Sequence, residues 1–473
     1  MKQYKENDLP EGWAWAKIKY LVEINYGKGL KKERRKEGPF PVYGSNGVVD
    51  YHNAALTRGP TIILGRKGSI GAVHYSANSC WPIDTTYFVD EFNGLDPKYL
   101  VHALRSLNLT ELDTSTAIPG LNRDSLYDQH VSIAPLIEQK RIVTKVEELL
   151  SRVTATKERL AKVSMILQCF RQAVLSAACS GHLTADWREK NSNIEPASEL
   201  LKRVRVERKE PLQKVQNQEI NTNDLPTIPE SWAYTSIGEL EIFIGSGITP
   251  LGGKSVYVKQ GVPFIRSQNV YPTGLVIKDM AFITQEIHNK MSRTKLKEKD
   301  VLLNITGASI GRATYVPENF GEGNVNQHVC IIRLESVISY KFTVLFLNSP
   351  IGQDLIFSKQ GGVTREGLNY GQVRNFIIPV PPLDEQQEIV RRVEAMFKLA
   401  DTVEKRVETA ILRAEKLTQT ILAKAFRGEL VPTEAELARR EGRSYEPASN
   451  LLARIKAERE SKESSQKVRR SRK

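Results

Sequence analysis

The sequence predicts a mixed α/β (α+β) protein. Two repeated modules are separated by a pair of long antiparallel coiled-coil helices, giving an internal pseudo-two-fold repeat. Three observations carry this reading. A 4-3 spaced apolar stripe occurs twice, the opening motif of the chain returns in its second half, and β-branched runs broken by glycine turns lie between each opening and each stripe.

The first stripe holds Ile142, Val146, Leu149, Val153, Leu160, Val163, Leu167, Phe170, Val174 and Ala177. The second holds Ile389, Val393, Met396, Ala400, Val403, Val407, Ala410, Ala414, Leu417 and Ile421. The copies are 247 residues apart throughout, with Thr156 and Lys424 as the polar exceptions. A 4-3 stripe is the signature of a helix whose seam faces a partner helix. The predicted seam is carried by Ile142, Val146, Leu149, Val153, Leu160, Leu167, Ile389, Val393, Met396, Val403, Val407 and Leu417.

Each half opens on a Pro-Glu-x-Trp motif, Leu9-Pro10-Glu11-Gly12-Trp13 and Ile228-Pro229-Glu230-Ser231-Trp232. Gly-rich turns follow at Tyr26-Gly27-Lys28-Gly29 and Gly245-Ser246-Gly247. The runs 61–71 and 300–311 each break into a glycine turn and resume, which predicts a strand, a loop and a strand. Helices are expected at 97–107 and 340–347. Pro135 and Pro382 suit the first turns of the long helices, and Gly181 and Gly428, each followed two residues on by leucine, suit their ends. Glu195-Pro196-Ala197-Ser198 returns as Glu446-Pro447-Ala448-Ser449, and short charged helices are expected at 199–209 and 450–460. Residues 211–227 read as a linker, and the tail from Ser461 as disordered.

The predicted organisation is a first module (1–135), a first long helix (136–181), a connector (182–228), a second module (229–382), a second long helix (383–428) and a C-terminal connector with a basic tail (429–473). The tryptophans are 219 residues apart and the helices 247, so the second module carries 28 extra residues. A helix of about 40 residues carries the chain roughly 60 Å, which predicts modules at opposite ends of an antiparallel pair.

At 473 residues the chain exceeds a single ordinary core. A net charge of +13 favours a polyanionic partner, although part of the excess sits in the C-terminal tail. No run of 18 apolar residues offers a membrane span, and no apolar signal segment opens the chain. The four cysteines lack C-x-x-C spacing, so neither a disulfide framework nor a metal site is predicted, and a cytoplasmic location is expected.

The chain reads as a binder with no catalytic residues. Asp96-Pro97-Lys98-Tyr99 is similar to the acidic-Pro-Pro-Tyr tetrad of adenine methyltransferases, but Lys98 replaces the second proline and no cofactor loop accompanies it. It is better explained as a helix start. Gly65-x-x-Gly68-x-x-Gly71 is not the dinucleotide pattern, no phosphate-binding P-loop occurs, and the seven histidines form no close ligand pair. What remains is a set of polar loops. In the first module these offer Tyr43, Ser45, Asn46, Arg66, Lys67, Ser69, Asn122 and Arg123. The second offers Ser246, Thr249, Arg266, Gln268, Asn269, Thr306, Ser309, Asn326, Gln327, Thr364 and Arg365. Arg, Lys, Asn and Gln can pair with base edges, while Ser, Thr and backbone N–H groups suit phosphates. A solvated loop is the bland alternative for any one of them.

The two Trp-opened modules, each followed by Pro135-Leu136-Ile137-Glu138-Gln139 or Pro382-Leu383-Asp384-Glu385-Gln386, resemble the specificity (HsdS-type) subunits of type I restriction–modification systems. Residues 65–71 with Trp81-Pro82-Ile83-Asp84 and residues 303–311 with Asn326-Gln327-His328 are similar to that family's target-recognition domains. The resemblance implies a non-catalytic subunit that reads a bipartite, asymmetric site in double-stranded DNA, one domain per half-site. It also implies helices that set the spacing and dock two methyltransferase subunits, with motor-nuclease subunits completing the complex and no membrane partner. Adenine methylation and restriction of unmodified DNA, with S-adenosylmethionine, ATP and magnesium, would then lie in the partners, and this chain would hold no cofactor. The competing expectation is a coiled-coil scaffold with non-specific nucleic-acid binding.

Overall fold

The computed structural model describes residues 8–107, 109–112, 120–207, 225–250, 252–358 and 367–470. The chain divides into two compact units, Met1–Ala161 with Glu408–Lys473, and Lys162–Val407.

In the first unit the strand Ala14–Lys17, immediately after Trp13, pairs antiparallel with His130–Ile133, the last strand before the long helix. Ala233–Ser236 and Ile377–Val380 repeat this pairing in the second unit. Each module is thus closed where the chain enters and leaves it. Between these strands the first module builds an antiparallel sheet in the order Asn25–Tyr26, Thr86–Val89, Thr61–Gly65, Val73–Ser76. A smaller sheet places Phe40–Gly44 between Gly47–His52, antiparallel, and Trp81–Pro82, parallel.

The second module has the same plan. Its larger sheet runs Glu241–Ser246, Val329–Leu334, Val301–Asn304, Ala313–Tyr315. Its smaller sheet centres Val262–Ile265 between Ala281–Ile283 and Asn324–Val325. Thr61–Gly65 and Val301–Asn304 are buried at every residue, which is why the sequence shows continuous apolar runs there and not alternation. Most of the extra length enters at two loops. The Ser45-Asn46 turn is replaced by residues 266–280 with a hairpin of Val270–Tyr271 and Gly274–Leu275. The segment 53–60 is replaced by 284–300, which adds the helix Gln285–Lys290.

The expected helices form at Pro97–Ser106 and Tyr340–Asn348. Asp96 accepts hydrogen bonds from the N–H groups of Lys98 and Tyr99, with Pro97 in the first turn, so the Asp-Pro-Lys-Tyr stretch is a helix cap.

The long helices are Leu136–Cys179 and Leu383–Ala425. Within each unit their segments run antiparallel. In the first, Lys157 lies 3.3 Å from Glu415, and Ser132 donates to the carbonyl of Phe426. In the second, Arg171 lies 2.7 and 2.8 Å from Asp401 and Glu404, and Thr184 donates to Glu385 at 2.7 Å. Ile142, Val146, Val153, Leu167, Ile389, Val393 and Val407 are buried, while Leu149, Leu160, Met396 and Val403 are half-buried. Leu417 departs from the expected seam, being 49% exposed. The inward line runs through buried Ala414, half-buried Thr418, and buried Ile421 and Ala425, so the stripe slips one residue after Ala414 and leaves Lys424 in solvent. A helix of 3.6 residues per turn drifts from a 3.5 repeat, and small Ala and Thr side chains at the contact leave that drift uncorrected.

Both helices end at left-handed glycines, Gly181 (φ 80°) and Gly428 (φ 73°). A Cβ there would also strike the proline of a module's opening motif, Pro229 at 2.5 Å from Gly181 and Pro10 at 2.3 Å from Gly428. Glycine is therefore required twice over, by backbone conformation and by close approach.

The connectors pair with the modules in an unexpected way. The Ala197 N–H donates to the Ser231 carbonyl at 2.9 Å, and the Ala448 N–H to the Gly12 carbonyl at 2.8 Å. The C-terminal segment thereby packs on the first module, and the mid-chain connector on the second. Their helices span Ala197–Glu207 and Ala448–Arg470. The second runs past the expected end at 460 and replaces the expected disordered tail as far as Arg470. Residues 461–470 contain no Gly or Pro and are rich in helix-tolerant Lys, Arg, Glu and Gln. The expected linker lies mostly outside the described residues.

Candidate functional site

The opening tryptophans anchor a buried carboxylate in each unit. Trp13 Nε1 donates to Glu138 at 3.0 Å, and Trp232 Nε1 donates to Glu385 at 3.0 Å. Both glutamates are fully buried. The adjacent glutamines are matched too. Gln139 accepts from the Asp96 N–H and donates to the Ala134 carbonyl, and Gln386 accepts from the Ser339 N–H and donates to the Pro381 carbonyl. The Glu-Gln pair is thus a structural lock between module and helix.

The locks differ in their third partner. Glu385 is paired with Arg188 from the mid-chain connector. Glu138 accepts the Glu434 backbone N–H at 2.8 Å from the C-terminal connector, whose own carboxylate is paired with Arg141 and Arg443. Burial pushes the Glu138 carboxyl up to about 7, against the opposing pull of its two N–H donors and Arg141.

The polar loops meet at one corner of each module, built from three places: the end of the first sheet strand, the glycine loop after the central strand, and the N-terminus of a short helix. Gly27 and Gly247 hold the first of these. A Cβ at Gly27 would lie 2.0 Å from the Ile83 carbonyl oxygen, and one at Gly247 would lie 1.7 Å from that of Val325. In both modules the glycine loop bonds the chain before the short helix, through the Leu121 N–H to the Arg66 carbonyl (2.9 Å) and the Leu368 N–H to the Ile305 carbonyl (2.8 Å). Asn122 and Asn369 cap those helices.

On this common backbone the side chains differ. In the first module Tyr26, half exposed, has Arg66 5.1 Å and Arg123 4.9 Å from its ring centre, and meets Tyr87 edge-on at 5.1 Å. In the second, the same strand end carries Ser246, whose hydroxyl meets Tyr370, the counterpart of Arg123. Buried Ile305 stands where Arg66 stands. A groove of about 440 Å³ beside it is lined by Ser246, Gly247, Lys290, Arg293, Thr294 and Tyr370, among others.

The sequence-predicted residues divide accordingly. Tyr43 is buried with Ile63 and Cys80, and burial raises its hydroxyl above the usual tyrosine range. Ser45 is buried and donates to the Thr85 carbonyl at 2.8 Å. Asn269 is fully buried, bonding the Arg266 N–H at 3.1 Å and the Val276 carbonyl at 2.9 Å. Asn326 is buried and accepts from the His328 N–H at 3.1 Å. These four hold loops in shape and are not presented to a ligand. Alternation along short strands and turns does not reveal which polar side chain folds inward.

Asn46, Lys67, Asn122, Thr249, Gln268 and Gln327 are exposed, and Arg66, Ser69, Arg123, Ser246, Arg266, Thr306 and Ser309 are half-buried. Several make local bonds. Ser69 donates to Asn46, Thr249 to Gln327, Asn304 to Ser309, and Thr306 meets His328. Arg266 lies over Tyr257 at 5.6 Å and donates to the Asp279 carbonyl. Thr364 and Arg365 lie outside the described residues.

Sequence reasoning missed Tyr26, Tyr370 and a basic loop at residues 28–36. That loop is fixed by Arg35, which bonds the Leu30 carbonyl and Asp50, by His52, which accepts the Lys36 N–H, and by Trp81, which donates to the Lys28 carbonyl. Lys28, Lys31, Lys32, Arg34 and Lys36 are exposed around it, with only Glu33 to offset them within the loop. The signal was in plain view as Lys-Lys-Glu-Arg-Arg-Lys.

Two like-folded α/β modules, each with a chemically distinct polar corner, define a two-module recognition protein. The family model for the type I restriction modification DNA specificity domain matches residues 10–165 and 229–413, and the chain belongs to that family. It is 32% identical over 386 residues to the type I restriction enzyme EcoBI specificity subunit of Escherichia coli, covering 78% of this chain and 73% of that one. To the EcoDI specificity subunit of Escherichia coli it is 27% identical over 469 residues, covering 95% and 96%. The fold matches a chain of a solved type I restriction–modification system at a TM-score of 0.65 and 18% identity, over 90% of this chain and 100% of that one. It also matches the HsdS subunit of Thermoanaerobacter tengcongensis at a TM-score of 0.50 and 18% identity, over 91% and 99%. Among the described residues no single helix is long and apolar enough to cross a membrane.

Proposed function

We propose that this chain is a non-catalytic, cytoplasmic specificity subunit that reads a bipartite, asymmetric DNA site, one module per half-site. The paired helices set the distance between half-sites and dock two methyltransferase subunits. Methylation of adenine with S-adenosylmethionine, and ATP- and magnesium-dependent restriction by motor-nuclease subunits, belong to those partners and not to this chain. The observation that carries the reading is a repeated backbone with unlike polar corners, which suits two unlike half-sequences. The basic loop suits the sequence-independent contact with phosphates that DNA-binding proteins require.

The full chain with its methyltransferase partner should methylate a split motif. Inserting four residues into each long helix should lengthen the helices by about 6 Å and widen the gap between half-sites, leaving their sequences intact. An unchanged gap would remove the spacing role. The basic loop alone would also suit a scaffold with non-specific nucleic-acid binding. That protein would show salt-sensitive affinity with no preference among competing sequences.

A further inference from the structure

On the DNA-reading role proposed above, we infer that Arg66 and Arg123 read guanine in the half-site of the first module, with Tyr26 as the plate that orients them. Both guanidinium groups lie about 5 Å from the centre of one half-exposed ring. Stacking on an aromatic face restrains a guanidinium plane while leaving its N–H edge available. Tyr26 is itself immobilised, by Gly27 pressed on the Ile83 carbonyl and by the edge of Tyr87. Tyr87 in turn donates to the Leu121 carbonyl at 3.0 Å, tying the plate to the chain that leads to Arg123.

Little of this hydrogen-bonding capacity is consumed. Arg66 gives one bond of 3.3 Å to the Asp84 carbonyl. The Nε of Arg123 is buried without a partner among the described residues, so the outer N–H groups are the ones this side chain can present to a base. A fork held in one plane matches the paired acceptors O6 and N7 of guanine in the major groove, and the phosphate contact that the same fork could make is separated from base reading by the test below. The second module carries Ile305 and Tyr370 at the equivalent positions, so this two-arginine stack does not recur at its corner.

The test uses the full chain with its methyltransferase partner, first to define the methylated motif and then to measure binding to duplexes of that motif. Replacing a half-site guanine by 7-deazaguanine, which lacks the N7 acceptor, should weaken binding by about 5- to 100-fold. R66K and R123K should abolish that sensitivity at one guanine each, while Y26F keeps it and Y26A reduces it. Co-purification with the partner shows that the variants fold, and the wild-type measurement stands without them. A motif whose first half-site, the half altered by R66K or R123K, has no guanine on either strand overturns the assignment. So does sensitivity to methylphosphonate linkages without sensitivity to 7-deazaguanine. Either result leaves the specificity role standing. A complex that prefers no sequence overturns both.

Discussion

The two modules share a sheet plan, a tryptophan–glutamate lock and a capped short helix, yet present different chemistry from the same three backbone positions. Tyr26, Arg66 and Arg123 form a cation–aromatic stack in one, while in the other the Ser246 and Tyr370 hydroxyls meet and Ile305 is buried. The difference teaches where selection for stability stops. Buried contacts are repeated because each closes the same α/β core, whereas exposed side chains at the corner are free to diverge on it.

The largest effect that would sharpen this contrast concerns the basic loop, which the sequence of the first module, and not that of the second, places after its first sheet strand, Asn25–Tyr26. Changing Lys28, Lys31, Lys32, Arg34 and Lys36 to glutamine should reduce the slope of log affinity against log salt by up to about 4.5, from roughly 0.9 per phosphate contact. The methylated motif should stay the same. A changed motif with an unchanged slope would assign the loop to base reading and blur the distinction between anchor and reader.

The locks offer the next comparison. Arg188→Ala leaves the fully buried Glu385 without its cation and should cost about 3–5 kcal/mol in denaturant unfolding. Glu138→Gln keeps the volume and one acceptor while removing a carboxylate that burial already disfavours. It should cost about 1 kcal/mol at neutral pH. Equal losses would show that the two locks are energetically alike despite their different partners.

A pH series isolates the Glu138 lock. Its folded-state carboxyl titrates near 7, above the ordinary value of 4.5, so the folded protein holds this proton more tightly than the unfolded chain does. The resulting stabilisation is complete below about 4.5 and is lost as pH rises through 7. Unfolding midpoints of wild type should therefore fall across that window relative to Glu138→Gln. Parallel curves for the two proteins would contradict the assignment. The smallest expected effect is at Leu417→Gln, below about 0.5 kcal/mol because that side chain is exposed. By contrast, Ile389→Ala on the buried seam should cost about 2–5 kcal/mol.

Much of the fold was legible because it depends on local signals. The 4-3 stripes, Gly181 and Gly428, Pro97 behind Asp96, and the buried strands Thr61–Gly65 and Val301–Asn304 all state their conformation within a few residues. The seam is not legible at Leu417, because a strongly apolar residue fits the stripe there although half-buried Thr418 is the one that turns inward. Connector pairing was not legible, since a C-terminal Ala448 bonded to Gly12 leaves no periodicity to detect. The corner was legible only in part. Arg66 and Arg123 stood out as polar loop residues, but their shared plate, Tyr26, is brought to Arg123 by tertiary folding alone. Asn269 and Asn326 looked like readers because amide side chains that brace a loop and those that contact a ligand are the same in sequence.

The central claim is that each module reads its own half of a DNA site. The most direct measurement replaces residues 12–134 with the corresponding module of a relative and sequences the methylated motif made by the full chain with its methyltransferase partner. The account predicts a motif in which one half changes, while the other half and the gap between them stay fixed. A change in both halves would contradict it.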